Sequence, residues 1–216
     1  VDGVMDDVRI YNRALTADEI KALYRGHPLS STGTITLQDK MDVNGNMVLG
    51  DGTFAAGANT IKVAKNWTNS DATFTYNTST VDFDDDTQAN TISGSTTFYN
   101  FTISTATAKT ATFQSGKTQT IAASGTLTLI GASAQILTLS PGTAVTNWGL
   151  TLNSAACSDI QYLTTTYSDA SGGEAVDGDG TGVTAAGTNT NWCTSSCTAN
   201  CSLAGAADAI FFGTDF

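Results

Sequence analysis

The chain has 216 residues, a net charge of −11 and a pI near 4.1, with 40% apolar and only 13% charged residues. A surface of that sign repels phosphate backbones and argues against a nucleic-acid partner, and with no apolar run of about 18 residues no membrane insertion is expected. Thr, Ser, Asn and Gly must therefore carry the surface, and 21 glycines against two prolines point to β-structure with many turns rather than to helical bundles.

The chain opens on Val1, with neither a basic n-region nor an apolar h-region, so residue 1 reads as a processing boundary. Val4, Val8 and Ile10 fall on one face of an extended segment, Met5 and Tyr11 on the other. A helix start follows: Thr16 as N-cap, Glu19 completing the capping box, Leu15 and Ile20 as the hydrophobic staple. Ile20, Leu23 and Tyr24 make its apolar stripe, and Arg25 and Gly26 its stop. The run DGVMDDVRIYNRALTADEIKALY resembles the closing strand and short helix of bacterial laminin-G-like, concanavalin-type jelly rolls. The resemblance covers this segment alone, and the glycan or calcium loops of that family have no counterpart here. Residues 1–30 are thus expected to form a strand–helix unit with a linker. A lone strand and helix cannot bury both faces, so this unit must pack on the rest of the chain or on another molecule.

Residues 31–163 read as a repeat. Between 41 and 140 the chain divides into gapless blocks of 20, the first column being Met41, Ile61, Val81, Phe101 and Ile121. The third column is Val43, Val63, Phe83, Ile103 and Ala123, and the seventh is Met47, Trp67, Thr87, Thr107 and Leu127. Phe54 and Phe74 share the fourteenth. Short alternating strands at this period predict an all-β fold, a β-solenoid of about 20 residues per rung with apolar columns stacked inward. At about 4.8 Å per rung, five to seven rungs make a rod of roughly 25–35 Å. A β-sandwich of hairpins is the alternative. Pieces such as GNMVLGDGTFAAGANTIKVAKNWTNSDATF, TISGSTTFYNFTIS and SGTLTLIGASAQILTLSPGT resemble the β-helical repeats of large bacterial surface and adhesin-like proteins. That resemblance implies a secreted, non-enzymatic protein.

Residues 164–216 complete the chain, with 164–191 read as Gly/Asp-rich loops and the segment after Trp192 as a cap. Cys157, Cys193, Cys197 and Cys201 lack zinc-knuckle spacing, and the one histidine, His27, is far off in sequence. They read instead as two disulfides stapling the cap, in any of three pairings. Ile210, Phe211, Phe212 and Phe216 leave an apolar tail, packed under the cap or docked on a neighbouring subunit.

Carboxylates gather at Asp82, Asp84, Asp85 and Asp86, and again at Asp177 and Asp179 in a Gly-rich turn. Calcium favours such loops, so Asp82, Asp84 and Asp86, or Asp177 and Asp179, are candidate ligands, although neither set completes an EF-hand or nonapeptide pattern. Solvated turn acids are the plainer reading, and no cofactor is otherwise expected. No Lys, Arg or His follows Lys117, and no nucleophile elbow or phosphate loop appears, so no enzyme is expected. Of the Thr-x-Thr tripeptides TIT, TFT, TAT and TLT, no two share a column of the 20-residue frame, against an ice-binding face. Trp67, Trp148 and Tyr162 could stack on sugars, with burial the stronger expectation for the tryptophans.

The reading is a structural protein of the bacterial exterior or cell surface, a filament or surface-layer subunit partnered by further copies of itself. Val4, Val8, Ile10 and Tyr11 at one end and Ile210, Phe211, Phe212 and Phe216 at the other would make the contacts. The alternative is an adhesive fragment of a giant surface protein that binds surface glycans.

Overall fold

The computed structural model describes residues 14–16, 20, 33–178, 180–185 and 188–193. Three short strands open it: β1 (Thr34–Thr36), β2 (Met41–Val43) and β3 (Met47–Leu49). The next turn of chain repeats them as β4 (Thr53–Ala55), β5 (Thr60–Val63) and β6 (Trp67–Asn69), and the turn after as β7 (Thr73–Thr75), β8 (Thr80–Phe83) and β9 (Asn90–Ser93). Each strand pairs in parallel with its counterpart one turn on, in the orders β1-β4-β7, β2-β5-β8 and β3-β6-β9. Successive turns of chain thus lie on one another as three-sided rungs. Ladders of this kind exclude the hairpin sandwich, whose neighbouring strands run antiparallel.

The first column holds as expected through Met41, Ile61, Val81 and Phe101, which are mutual partners in register. It then departs from the 20-residue frame. Strand β10 (Thr96–Ser104) pairs with β12 (Thr118–Ile130) in two stretches, Phe98 opposite Ile121 and Phe101 opposite Leu127. Residues 122–125 oppose Tyr99 alone, so Leu127, not Ile121, continues the column. This bulge is built where Ser124 has φ +61 and a Cβ on Gly125 would lie 2.0 Å from the Tyr99 carbonyl oxygen. The seventh column shifts earlier, because Trp67 pairs with Ile92 and not with Thr87. The acidic corner 84–88 supplies the extra residues.

The coil continues through β11 (Lys109–Phe113), β13 (Leu137–Pro141), β14 (Trp148–Leu152), β15 (Cys157–Gln161) and β16 (Leu163–Thr165). Parallel pairing runs on past residue 163, where the sequence predicts loops. There lie β17 (Ser168–Asp169), β18 (Val176–Asp177) and β19 (Trp192–Cys193), with parallel bridges Thr164–Thr184 and Asp169–Thr190. Short strands joined by Gly- and Asp-rich turns give too little alternation to be read as strands.

Alternation places one apolar column from each face inside. Ile61, Val81, Ile103, Leu127, Leu129, Leu137 and Leu139 are all fully buried, and each such side chain contributes about 1.5–3 kcal/mol. An aromatic row fills the interior: Phe54, Phe74, Trp67, Phe98, Phe101 and Phe113 follow one another, and Phe113 stacks on Trp148 at 4.1 Å. The indole N–H groups are satisfied, Trp67 donating to Thr96 Oγ1 and Trp148 to the Thr166 carbonyl, each at 3.1 Å. The corners are tied by asparagines. Asn46 Oδ1 accepts the Asn66 N–H at 3.3 Å, and Asn66 Oδ1 accepts the Thr91 N–H at 2.8 Å one rung further. Such side chains serve the turn amides that no ladder reaches.

At the N-terminal end, the Ile20 N–H donates to the Thr16 carbonyl at 3.0 Å, the i to i−4 bond expected of the helix start. The rest of that element lies outside the described residues.

Candidate functional site

The acidic corner after β8 is the densest group of charges. The outward column of this face reads Asp42, Lys62, Asp82, Thr102, each the register partner of the next. Lys62 Nζ meets Asp84 Oδ2 at 3.2 Å, and this bond and charge raise the Lys62 pKa. Asp85 Oδ1 accepts the Thr87 N–H at 2.8 Å and the Thr87 hydroxyl at 2.7 Å, which holds its carboxyl below the usual range. Asp86 Oδ2 accepts the Ala106 N–H at 3.0 Å from the next rung. Asp82 is pushed up, by burial first and by the neighbouring Asp84 second.

The sequence offered no reason to place Lys109 in this corner. Its side chain turns inward from β11, only 5% exposed, and the ammonium donates to the Asp85 carbonyl at 2.7 Å and the Phe83 carbonyl at 3.4 Å. Desolvation lowers its pKa, opposed by Asp86, Asp85, Asp84 and Asp82. An ammonium therefore takes the backbone carbonyls at the centre of the corner, while Asp84, Asp85 and Asp86 each turn to a separate partner. Among the described residues no three His, Cys, Asp or Glu side chains converge as metal ligands. Asp177 lies in β18, and Asp179 is outside the described residues. A lysine fixed by main-chain carbonyls braces a corner and offers no accessible base.

Trp67 and Trp148 are 0% and 1% exposed, the burial expected for both, and they cannot stack on a ligand. Tyr162 sits at a corner with φ +48. The Thr-x-Thr tripeptides behave differently from their sequence columns. TIT at 34–36 and TFT at 73–75 fall in one register through Thr53 and Ala55, whereas TAT lies in the turn after β10. On the β11-β13-β16 face, Thr110, Thr138 and Thr164 form one outward column, with Thr112 and Ser140 beside it. Frame counting misses this because the corners differ in length.

The terminal residues expected to mediate assembly, Val4, Val8, Ile10, Tyr11, Ile210, Phe211, Phe212 and Phe216, lie outside the described residues, as do Cys197 and Cys201. Cys157 and Cys193 are described, and neither is a free thiol. Among the described residues, β1, β2 and β3 form the first rung of the ladder; at the other end β16 and β17 are continued by the bridges to Thr184 and Thr190, and β19 is the last described strand. No helix among the described residues is long and apolar enough to cross a membrane. Comparison of the chain with models of protein families, with curated proteins and with solved structures gives no match.

Proposed function

We propose that this chain is a non-enzymatic β-solenoid subunit of an extracellular bacterial filament or surface layer, joined head to tail through its terminal segments. The observation that carries the reading is the polarity of the ladder. Because every rung runs parallel to the last, the first and the final described rungs have the matching polarity of one parallel pairing. A second copy can continue the ladder without reversal, and a head-to-tail contact of this kind does not close on itself.

The N-terminal segment, within the laminin-G-like unit expected at residues 1–30, would add to a sheet edge of the neighbour, main-chain bonds supplying affinity and Val8 and Ile10 filling pockets. At the other end, Cys157, Cys193, Cys197 and Cys201 would form two disulfides that hold the last rung in shape for docking. Oxidised cysteines suit an exported protein.

Negative-stain electron microscopy of the full chain and of a chain lacking residues 1–26 tests the proposal. Filaments that vanish on truncation support it. Monodisperse short rods in both samples contradict it.

A further inference from the structure

The corners between the β3-β6-β9-β11 face and the next strand differ in length. Ser70–Ala72 turn one rung and Gln114–Lys117 turn the rung two below, whereas Gly94 and Ser95 alone turn the rung between. Gly94, at φ +78, is drawn in so far that a Cβ there would lie 1.7 Å from the Asn69 carbonyl oxygen. The longer corners overhang this short one and leave a cleft of about 460 Å³, within the roughly 300–1,000 Å³ usual for small-ligand sites.

The cleft is polar; its Ser95 hydroxyl already accepts the Thr118 N–H at 3.1 Å, but some of its donors are uncommitted. Asn69 lines it at 8% exposure. Its Oδ1 accepts the Ala72 N–H at 3.1 Å, which fixes the amide orientation and leaves Nδ2 with no protein acceptor. Gln114 Oε1 likewise accepts the Gly94 N–H at 2.8 Å and leaves its amide nitrogen free to donate. Lys117 and Asp71 line the same cleft, and among the described residues they make neither an ion pair with each other nor a side-chain hydrogen bond. They stand two rungs apart, about 9–10 Å at the usual strand spacing, with the Ser93 hydroxyl between.

From this arrangement we propose that the cleft binds a neutral oligosaccharide, one or two rings of which lie across the Gly94 corner. Sugar hydroxyls both donate and accept, and the cleft presents both partners: Asp71 accepts, while Asn69, Gln114 and Lys117 donate. One cation and one carboxylate leave the site itself neutral, and a net charge of −11 disfavours an acidic glycan. The site lies on a lateral corner, so the proposal stands independently of end-to-end assembly.

The test is an NMR titration of the full-length, isotopically labelled chain with cellobiose, maltose, lactose and di-N-acetylchitobiose, with digalacturonate as the acidic control. At least one neutral probe should shift the Asn69 side-chain amide and the Gly94 N–H saturably, and more tightly than digalacturonate. Asp71→Ala and Lys117→Ala should each weaken that binding by about tenfold or more, with the remaining spectrum unchanged. No saturable shift with any neutral probe, binding untouched by both substitutions, or tighter binding of digalacturonate overturns the proposal.

Discussion

Gly94→Ala probes the rung geometry where it is tightest. A methyl at φ +78 costs roughly 1–2 kcal/mol from left-handed backbone strain alone. Here it would also meet the Asn69 carbonyl oxygen at 1.7 Å, a backbone atom of the rung above that cannot swing aside. Forcing the rungs apart adds about 1–3 kcal/mol, the usual range for overpacking. Gly116→Ala is the matched control, because Gly116 has φ +72 and nothing within 4 Å of its virtual Cβ. Urea denaturation of the two variants and the parent should place Gly94→Ala below Gly116→Ala by about 1–3 kcal/mol, the overpacking increment. Equal stabilities for the two variants would mean that the Gly94 corner does not lie against Asn69, and the register of these rungs would have to be redrawn.

Trp148→Ala removes a fully buried indole stacked on Phe113 and should cost about 3–5 kcal/mol in the same assay. Lys109→Met leaves the Phe83 and Asp85 carbonyls without their donor and should destabilise by about 1–3 kcal/mol for each carbonyl that water cannot reach. Because burial depresses the Lys109 pKa, the unfolded chain holds its proton to higher pH than the native one. Stability should therefore rise with pH in the window just below the usual lysine value of about 10.4, and this rise should vanish in Lys109→Met. Asp85 and Asp169 carry lowered pKa values from bonds to Thr87 and Ser171, so their stabilisation is present above about 3.9 and lost as pH falls through the folded values. Asp85→Asn should flatten part of that acid limb in a pH series of urea melts. Under the proposed pairing, intact-mass analysis after alkylation should show no labelled cysteine before reduction and four after it; a label taken up without reduction would remove the staple.

The first three rungs were legible because their corners keep nearly constant length. Met41, Ile61, Val81 and Phe101 recur every 20 residues, and each is the next one's partner. The later rungs were not, because corners such as 84–88 and the bulge at 122–125 add residues that carry no periodic signal. Ile121 and Leu127 then exchange places in the column. The acidic corner was visible as a run of aspartates, but its lysine comes from position 109, and nothing local marks as inward-facing a lysine on a strand whose other inward residues are Ala111 and Phe113. The cleft was invisible for a similar reason. Asn69, Asp71, Gly94 and Lys117 lie on separate corners, and only the register brings them together.

The most direct test of end-to-end growth is fibre diffraction from an aligned preparation of the assembled chain. If ladders continue across each junction, the strand spacing of about 4.8 Å lies along the filament axis and gives a meridional reflection. A filament with that spacing on the equator, or a chain that forms no filament at all, would contradict the account.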